Sequence, residues 1–340
     1  MTENLKSPLI SIILPVYNGE KYLREAMDSI VAQTFRLWEL IVINNASTDS
    51  SREIVLQYND SRIILLDNET NQGLIYSLNK GLAHCRGKYI SRIDADDIAL
   101  PEKLQTQYDF METHPETGVC GCSMEAFNDE KHYSQRVDFA TFDQAIRAFA
   151  FFQSPFNHPS IILRKSVLDE HQLKYPSLYR NAEDYGFWIE ILKYTQGANI
   201  SQVLTRYRKH ENSETAIDDK KTEVKVSIIV QIHTRYLQQN GIDLTPEQML
   251  FYTRFTDRSI PCHLNRKNQK EIEKVLKDFL SQLKQKQAAL YPGVLHYLSV
   301  NTFVKFFNTR KFPHSLFLLK LYAGGAWYYI RRFLPSVPCQ

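Results

Sequence analysis

Four runs of apolar, β-favouring residues alternate with helical patterns in the first part of the chain. The runs are Leu9–Val16, Trp38–Ile43, Arg62–Leu66 and Tyr89–Ile93. Continuous apolar runs of this length are typical of strands that are covered on both faces. Strands that alternate with helices through short connections favour a parallel sheet. The pattern therefore predicts an α/β fold with a mostly parallel sheet flanked by helices.

Polar loops follow three of these runs. They are Tyr17–Gly19, Asn44–Asp49 and Asp94–Asp97. In a parallel sheet, ligands bind at the carboxyl ends of the strands, near the point where strand order reverses. One shared ligand site therefore accounts for the polar character of all three loops.

The loop after the fourth run carries three carboxylates, on Asp94, Asp96 and Asp97. Residues two apart on an extended chain point to the same side, so we expect Asp94 and Asp96 to face one ligand while Asp97 faces away. A divalent cation relieves the repulsion between two aligned carboxylates. Mg²⁺ or Mn²⁺ held by one or two carboxylates keeps positions open for water and for substrate phosphates. Taken alone, such a motif also fits a solvated acidic turn.

The later part of the sheet region contains two further candidate groups. A helix is predicted over Ala182–Tyr194, with Glu183 and Asp184 in its first turn. Acidic side chains stabilise a helix N-terminus, so this pair has a structural explanation as well as a functional one. The extended residues Val203–Arg208 lead to His210, which fits either a surface residue or a ligand.

The chain of 340 residues is longer than one hydrophobic core usually organises. We therefore expect one large domain with an appendage. The large domain is placed at residues 1–215, with an internal division between 1–118 and 119–215. Residues 216–340 are expected to form a helical C-terminal region.

Composition limits the expected cellular context. The five cysteines form no CxxC pair, which favours a reducing compartment without disulfides. The N-terminus carries no recognisable signal peptide, and no apolar run reaches the length of a membrane-spanning helix. The net charge of +3 is too small to indicate nucleic-acid binding. These features predict a cytoplasmic protein.

The C-terminal end is both basic and aromatic. The chain has no acidic residue after Asp278, while residues 290–334 mix aromatic side chains with lysine and arginine. Interfacial helices combine these groups to meet anionic headgroups, which favours attachment to an anionic membrane surface. Two alternatives are a packed appendage with a basic outer face and a nucleic-acid-binding segment. No nucleic-acid-binding motif accompanies the charge, so nucleic acid is not an expected partner.

Five motifs in order resemble the large family 2 of inverting, nucleotide-sugar-dependent glycosyltransferases. The motifs are SIILPVYNGEKYL at 11–23, VINNASTDSS at 42–51, NQGLIYSLNKGLAHCRGKYISRIDADD at 71–97, NHPSIILRKSVL at 157–168 and AEDYGFW at 182–188. The resemblance covers residues 8–210. It implies the GT-A fold, with residues 1–118 binding the nucleotide sugar and residues 119–215 binding the acceptor.

The resemblance also implies roles for individual residues. A first group would bind the donor nucleotide: Pro15, Tyr17, Asn44, Asn45, Asp94, Ala95 and Asp96. Within that group Asp96 would hold the Mn²⁺ or Mg²⁺ that bridges the diphosphate, with Asp94 and His210 as further metal contacts. Asp184 would be the catalytic base, with Glu183 beside it as the second candidate. A carboxylate suits that role because an acceptor hydroxyl must lose its proton as it attacks.

One motif departs from the family pattern. The second loop of the family often reads Asp-Asp-Gly-Ser, whereas here it reads Asn44-Asn45-Ala46-Ser47. In the family the second acid commonly accepts a hydrogen bond from the base. An asparagine can accept through its oxygen, but it can also donate. The departure therefore leaves the preferred donor base open.

The combined prediction is a metal-dependent inverting glycosyltransferase on the inner face of a bacterial membrane. It would transfer a sugar from a UDP-, GDP- or dTDP-sugar to a glycan or lipid-linked acceptor during surface polysaccharide synthesis. One rival is a nucleotidyltransferase, which should carry a glycine-rich basic loop after the first strand, where this chain reads PVYNGEKY. The other rival is a non-catalytic scaffold of a polysaccharide-assembly complex.

Overall fold

The computed structural model describes residues 7–211, 222–257, 260, 262–309 and 311–333. Within them the strands are β1 Ile10–Val16, β2 Trp38–Asn44, β3 Ile63–Asp67, β4 Tyr89–Arg92, β5 Ile98–Ala99, β6 Thr117–Asn128, β7 Tyr133–Val137, β8 Ile162–Arg164 and β9 Gln196–Arg208. The helices up to the last strand are α1 Leu23–Val31, α2 Ser51–Leu56, α3 Leu74–His84, α4 Lys103–Thr113, α5 Asp143–Phe149, a 3-10 turn His158–Ser160, α6 Lys165–Glu170 and α7 Glu183–Ile191. The later helices are α8 Thr222–Gln239, α9 Pro246–Thr256, α10 Arg266–Lys286, α11 Tyr291–Thr309 and α12 Leu316–Phe333.

The chain divides into two compact units. The first contains the described residues up to Asp143 together with those from Pro155 to 211. The second contains Gln144–Ser154 and the described residues from 222 onward. The predicted domain boundary between residues 215 and 216 lies outside the described residues.

The first unit is built on one twisted sheet whose leading part is parallel. Strand order is β3-β2-β1-β4-β8-β6-β9-β5, and β7 pairs with β6. Strands β1, β2 and β4 are buried along their whole length, as the continuous apolar runs predict. The register pairs Val16 with Asn44 and Asn44 with Asp67, so the carboxyl ends of β1, β2 and β3 lie level with one another.

The chain reverses strand order at β1, which pairs with β2 on one side and with β4 on the other. Such a reversal opens a crevice at the carboxyl ends of the flanking strands. Helix α3 packs closely over this part of the sheet at Gly81. A Cβ there would lie only 2.7 Å from Cγ2 of Ile13. The three polar loops predicted from the sequence therefore emerge at one edge.

Beyond β4 the sheet is mixed rather than parallel. Strand β8 runs antiparallel to both β4 and β6, while β6 and β9 pair in parallel. Strand β5 pairs antiparallel with the end of β9, joining Ile98 to Arg206 and Ala99 to Thr205. This pairing brings the segment before His210 beside the acidic turn that follows β4.

The sequence patterns locate most of these elements and miss a few. Strand β8 is only three residues long and follows the 3-10 turn His158–Ser160, which has Pro159 in its first turn. Strand β7 shows no apolar alternation, since most of its side chains are exposed. The two-residue strand β5 is too short to leave a pattern. Strand β9 begins at Gln196, earlier than the predicted Val203.

The second unit has a helical core around Tyr252, which is fully buried and donates a hydrogen bond from its hydroxyl to the Phe151 carbonyl oxygen. Helices α11 and α12 form a pair that meets at Gly325. A Cβ at this position would lie 2.1 Å from the Ser299 carbonyl oxygen, so only glycine allows this approach. In the part of the chain that the structure describes, no helix is both long enough and apolar enough to span a bilayer.

Candidate active site

Loops after β1 and β2 are joined by a set of hydrogen bonds at the carboxyl edge of the sheet. The Asn18 backbone N–H donates to Oγ of Ser47, and Thr48 N–H donates to Oδ1 of Asn18. Gly19 N–H donates to Oγ of Ser51 at 2.8 Å. The first loop also approaches the acidic turn, because a Cβ at Gly19 would meet Cβ of Ala95 at 3.4 Å.

Two residues in these loops adopt the left-handed backbone conformation. Asn18 has a φ of 50° and Ala46 has a φ of 59°. Asparagine tolerates this region, whereas alanine is strained there by roughly 1–2 kcal/mol. Position 46 is the place where the related motif carries glycine. The backbone shape of the motif is thus kept here at some cost.

The Asn45 amide makes hydrogen bonds through both its oxygen and its nitrogen. Its Oδ1 accepts from Nδ2 of Asn68 at 2.8 Å and from the Gln72 N–H at 3.0 Å. Its Nδ2 donates to Oδ1 of Asn71 at 2.8 Å. A carboxylate at position 45 could not make the last of these bonds, so the departure from the family motif has a local structural reason.

The remaining donor-side candidates differ in exposure. Pro15 is buried near the end of β1, while Tyr17 is 50% exposed at the rim of the crevice. Asn44 is buried and donates from Nδ2 to Oδ1 of Asp67 at 2.8 Å. Oδ2 of Asp67 also accepts from Arg52, so Asp67 is a polar group at this edge that the motifs did not single out.

The three carboxylates of the acidic turn have three different environments. Asp94 accepts a hydrogen bond at Oδ1 from Nη2 of Arg92 at 2.5 Å. Oδ2 of Asp96 lies 2.8 Å from Nε2 of His210. Asp97 is completely buried. Asp94 and Asp96, expected to face one ligand together, thus each have a separate side-chain neighbour.

Arg208, at the end of β9, donates hydrogen bonds to two residues of the acidic turn. Its backbone N–H donates to Oδ1 of Asp97 at 2.8 Å, and its Nε donates to the Asp96 carbonyl oxygen at 2.9 Å. The guanidinium also forms ion pairs with Glu25 and Asp129. These contacts fix the position of the turn relative to His210, two residues further along the chain.

Burial makes Asp97 an unusual carboxyl group. Loss of water contact raises the pKa of Asp97 well above its ordinary value, and the charges of Asp94 and Asp96 raise it further. Among the described residues its Oδ2 has no hydrogen-bond partner. The turn therefore presents two accessible carboxylates above a third that is best held neutral.

Glu183 and Asp184 open helix α7, in the first turn of the helix as predicted. Glu183 is buried, while Asp184 is half-buried. Burial raises the pKa of Glu183 to about 7, and the neighbouring Asp184 charge contributes to the shift. The raised pKa of Glu183 gives this pair a feature beyond a favourable helix N-terminus, since shifted pKa values are frequent at functional sites.

Two buried basic residues lie close to the acidic turn, and the sequence motifs did not identify them. Arg92 is 3% exposed, and its charge interacts with those of Asp94, Glu183 and Asp184. Lys103 is fully enclosed beneath the turn and donates from Nζ to the Arg92 and Pro159 carbonyl oxygens. Burial lowers the pKa of Lys103 to about 8. The sequence signal that could have identified Arg92 is a charged residue at the end of a buried strand.

The residues near the turn fit a divalent cation whose remaining coordination positions would be filled by the ligand and by water. Among the described residues, no group of three or more His, Cys, Asp or Glu side chains is arranged to hold a metal ion. Asp96 and His210 nevertheless offer a carboxylate oxygen and an imidazole nitrogen side by side. Mn²⁺ accepts both donor types, and an incomplete protein ligand set leaves positions for phosphate oxygens and water.

Replacing Glu183 with glutamine is expected to stabilise the fold more at pH 8 than at pH 5. The folded-state pKa of Glu183 is about 7, raised from an ordinary value of 4.5, so ionisation destabilises the folded state progressively between these values. That cost is fully present above pH 7 and absent when the group is protonated in both states. Urea unfolding at pH 8 should show a gain on the order of 1–3 kcal/mol.

Glu190→Gln provides the matched control for this prediction. Glu190 lies on the same helix but pairs with Lys193 at the surface. Its replacement should change the free energy of unfolding by the same small amount at both pH values. An equal gain for Glu183→Gln at pH 5 and pH 8 would contradict the expected ionisation cost.

Sequence comparison connects this site to a known family. Residues 11–172 match the profile of "Glycosyl transferase family 2". An uncharacterized glycosyltransferase of Haemophilus influenzae is 33% identical over 248 residues, which are 70% of this chain and 77% of that protein. The Escherichia coli UDP-Glc:alpha-D-GlcNAc-diphosphoundecaprenol beta-1,3-glucosyltransferase WfgD is 29% identical over 60% of this chain and 79% of its own length.

Solved structures agree on the fold. Staphylococcus aureus TarS 1–349, crystallised in complex with UDP-GlcNAc, superimposes with a TM-score of 0.61 at 19% identity and covers 94% of this chain and 91% of TarS. The mannosyltransferase PcManGT of Pyrobaculum calidifontis, solved with GDP-Man and Mn²⁺, gives a TM-score of 0.56 at 17% identity, covering 95% of this chain and 88% of its own. The predicted α/β fold of GT-A type is confirmed. The chain belongs to glycosyltransferase family 2 and is a transferase enzyme.

Proposed function

We propose that this protein is a metal-dependent inverting glycosyltransferase. It takes a sugar from a UDP-, GDP- or dTDP-sugar and transfers it to a hydroxyl of a glycan or lipid-linked acceptor. The observation that carries the proposal is the Asp96–His210 pair, 2.8 Å apart at the carboxyl edge of the sheet. The charge of Arg92 interacts with those of both Asp94 and Asp184, the proposed base.

The donor side of the site supports a nucleoside diphosphate. Exposed Tyr17 and the level ends of β1, β2 and β3 form the rim where a base and ribose would lie. Asp96 and His210 would hold Mn²⁺ or Mg²⁺, with Asp94 beside them. Bound there, the cation would neutralise the negative charge that grows on the departing diphosphate. PcManGT, a structural neighbour, was solved with Mn²⁺, which is consistent with this choice.

The reaction is a single displacement at the anomeric carbon. Asp184 accepts the proton of the acceptor hydroxyl as its oxygen forms a bond to that carbon. The bond from the anomeric carbon to the diphosphate oxygen breaks, and the electron pair leaves with the diphosphate. Attack opposite the leaving group inverts the anomeric centre. Glu183 remains the second candidate for the base, because burial raises the pKa of Glu183 to about 7.

The acceptor class is proposed from the relatives. WfgD is named for a diphosphoundecaprenol acceptor, a lipid-linked sugar. A lipid-linked intermediate of a bacterial surface polysaccharide is therefore the acceptor class to test first. An enzyme that uses such an acceptor on the cytoplasmic side benefits from binding at the membrane surface.

Donor binding should depend on both metal and Asp96. Calorimetric titration with UDP, GDP and dTDP, each with Mn²⁺ and with EDTA, should show one nucleotide that binds only with metal. Asp96→Ala and His210→Ala should each weaken that binding at least about tenfold, since each removes a metal ligand. Asp109→Ala, on the outer face of α4, is the matched control. Folded protein that binds none of the nucleotides would favour the scaffold alternative.

Asp184→Asn should abolish transfer while leaving donor binding nearly unchanged. The amide cannot take the acceptor proton, so kcat is expected to fall by about 10²–10⁴-fold. The Kd for the nucleotide found above should stay within about twofold by calorimetry. Glu183→Gln is the comparison variant. If Asp184→Asn keeps the wild-type rate while Glu183→Gln loses it, the base is Glu183.

The second unit carries the surface that we propose for membrane attachment. Phe307, Phe312 and Leu316, around the turn between α11 and α12, are 65%, 72% and 70% exposed. Lys311 and Lys320 are exposed next to them. Apolar side chains flanked by lysines fit an anionic bilayer, which pairs burial of the apolar groups with attraction of the charges. Arg310 and the side chains from residue 326 onward lie outside the described ones.

The double variant Phe312→Ser, Leu316→Ser should lose binding to anionic vesicles. We expect wild-type protein to sediment with phosphatidylcholine–phosphatidylglycerol vesicles and not with pure phosphatidylcholine. The variant should bind at least about tenfold more weakly, since two large apolar side chains no longer enter the interface. Leu56→Ser, at a 58% exposed position in the first unit, is the control. Unchanged sedimentation of the double variant would exclude this surface.

A further inference from the structure

Arg92 ends a strand whose other residues, Tyr89, Ile90 and Ser91, are also buried. Its side chain is 4% exposed and donates from Nη2 to Oδ1 of Asp94. The other two guanidinium nitrogens, Nε and Nη1, are buried and have no hydrogen-bond partner among the described residues. A guanidinium offers five donors in a fixed fork, so most of its hydrogen-bonding capacity is unused here.

Unused buried donors are rare in folded proteins and call for an explanation. A structural arginine of this protein shows the ordinary arrangement. Arg164, on the neighbouring strand β8, donates to the carbonyl oxygens of Thr117, Met111 and His114 and to the Tyr89 hydroxyl. Arg92 has no comparable set of acceptors in the described protein. A bound molecule that accepts hydrogen bonds would complete its surroundings.

The charges around Arg92 locate that molecule. The Arg92 guanidinium interacts electrostatically with the carboxyl groups of Asp94, Glu183 and Asp184. The guanidinium thus lies within electrostatic reach of the donor-binding turn and also of the proposed base. In a displacement reaction, the transferred sugar and the attacking acceptor hydroxyl lie between the diphosphate and the base, and the sugar is the one bonded to the nucleotide.

The same charges favour hydroxyls over phosphate at the unused donors. Asp94, Glu183 and Asp184 already place negative charge near the guanidinium. A phosphate at this position would be repelled by those carboxylates, whereas a neutral hydroxyl accepts the hydrogen bond without that cost. His158 adds a neutral neighbour, because burial and then the Arg92 charge lower the pKa of His158 well below its ordinary value.

We propose that Arg92 binds the transferred sugar, donating hydrogen bonds from Nε and Nη1 to its hydroxyl groups while Nη2 holds Asp94. This role rests on the proposed glycosyltransferase function and adds a residue that reads the donor sugar rather than the nucleotide. Lys103 supports the arrangement by donating to the Arg92 carbonyl oxygen, which fixes the backbone from which the side chain extends.

The test compares nucleotides with nucleotide sugars. Calorimetry with Mn²⁺ and no acceptor measures the Kd of UDP, GDP and dTDP and of UDP-glucose, UDP-N-acetylglucosamine, GDP-mannose and dTDP-rhamnose. The ratio of the Kd of a nucleotide to that of its sugar conjugate isolates the sugar contribution. Disturbance of Asp94 affects both ligands and cancels in this ratio. In Arg92→Met the ratio should fall about tenfold, the loss expected for one or two hydrogen bonds.

Two further variants keep the test decisive. Arg92→Lys retains the charge but not the fork, so its ratio should lie between those of wild type and Arg92→Met, and it remains informative if the methionine variant does not fold. Arg164→Lys should lower Tm and leave the ratio unchanged. Equal weakening of nucleotide and nucleotide sugar in both Arg92 variants, or no weakening, would overturn the sugar role. Wild-type protein that binds no nucleotide would instead refute the proposed function, and this inference with it.

Discussion

Crowding of negative charge at one edge of the sheet governs the architecture of this site. The turn after β4 and the start of α7 together bring five carboxyl groups to the edge of one crevice, on Asp94, Asp96, Asp97, Glu183 and Asp184. Like charges at such density would unfold a turn that nothing else held. This repulsion is offset by the buried guanidinium groups of Arg92 and Arg208, and the pKa of the buried Asp97 carboxyl is raised well above its ordinary value. Asp94 and Asp96 remain partly exposed, where a ligand can reach them.

The fold was readable from the sequence because burial leaves a direct trace in residue type. Strands β1 and β2 are enclosed on both faces, and Leu9–Val16 and Trp38–Ile43 accordingly contain almost only apolar residues. Parallel register then places the polar residues after each strand at one level. These two facts were enough to predict the sheet, its ligand-binding edge and the acidic turn.

The supporting contacts were not readable, because they join residues distant in sequence. Arg208 holds Asp97 across 111 positions, and nothing in either local segment indicates the other. Likewise, the Asn45 amide depends on Asn68 and Asn71 in another loop. Such pairs follow from strand order, which periodicity does not specify. Local sequence does not indicate that β9 pairs with β6 and β5.

Glu183 has a consequence for the heat of ligand binding. A bound donor and its cation would change the charge around a carboxyl whose pKa burial already raises to about 7. A shift of that pKa on binding would exchange protons between the carboxyl and the buffer. The observed enthalpy would therefore differ between buffers of high and low ionisation enthalpy, such as Tris and HEPES. The slope of that dependence gives the number of protons exchanged on binding, and therefore measures the change in the charge of the site.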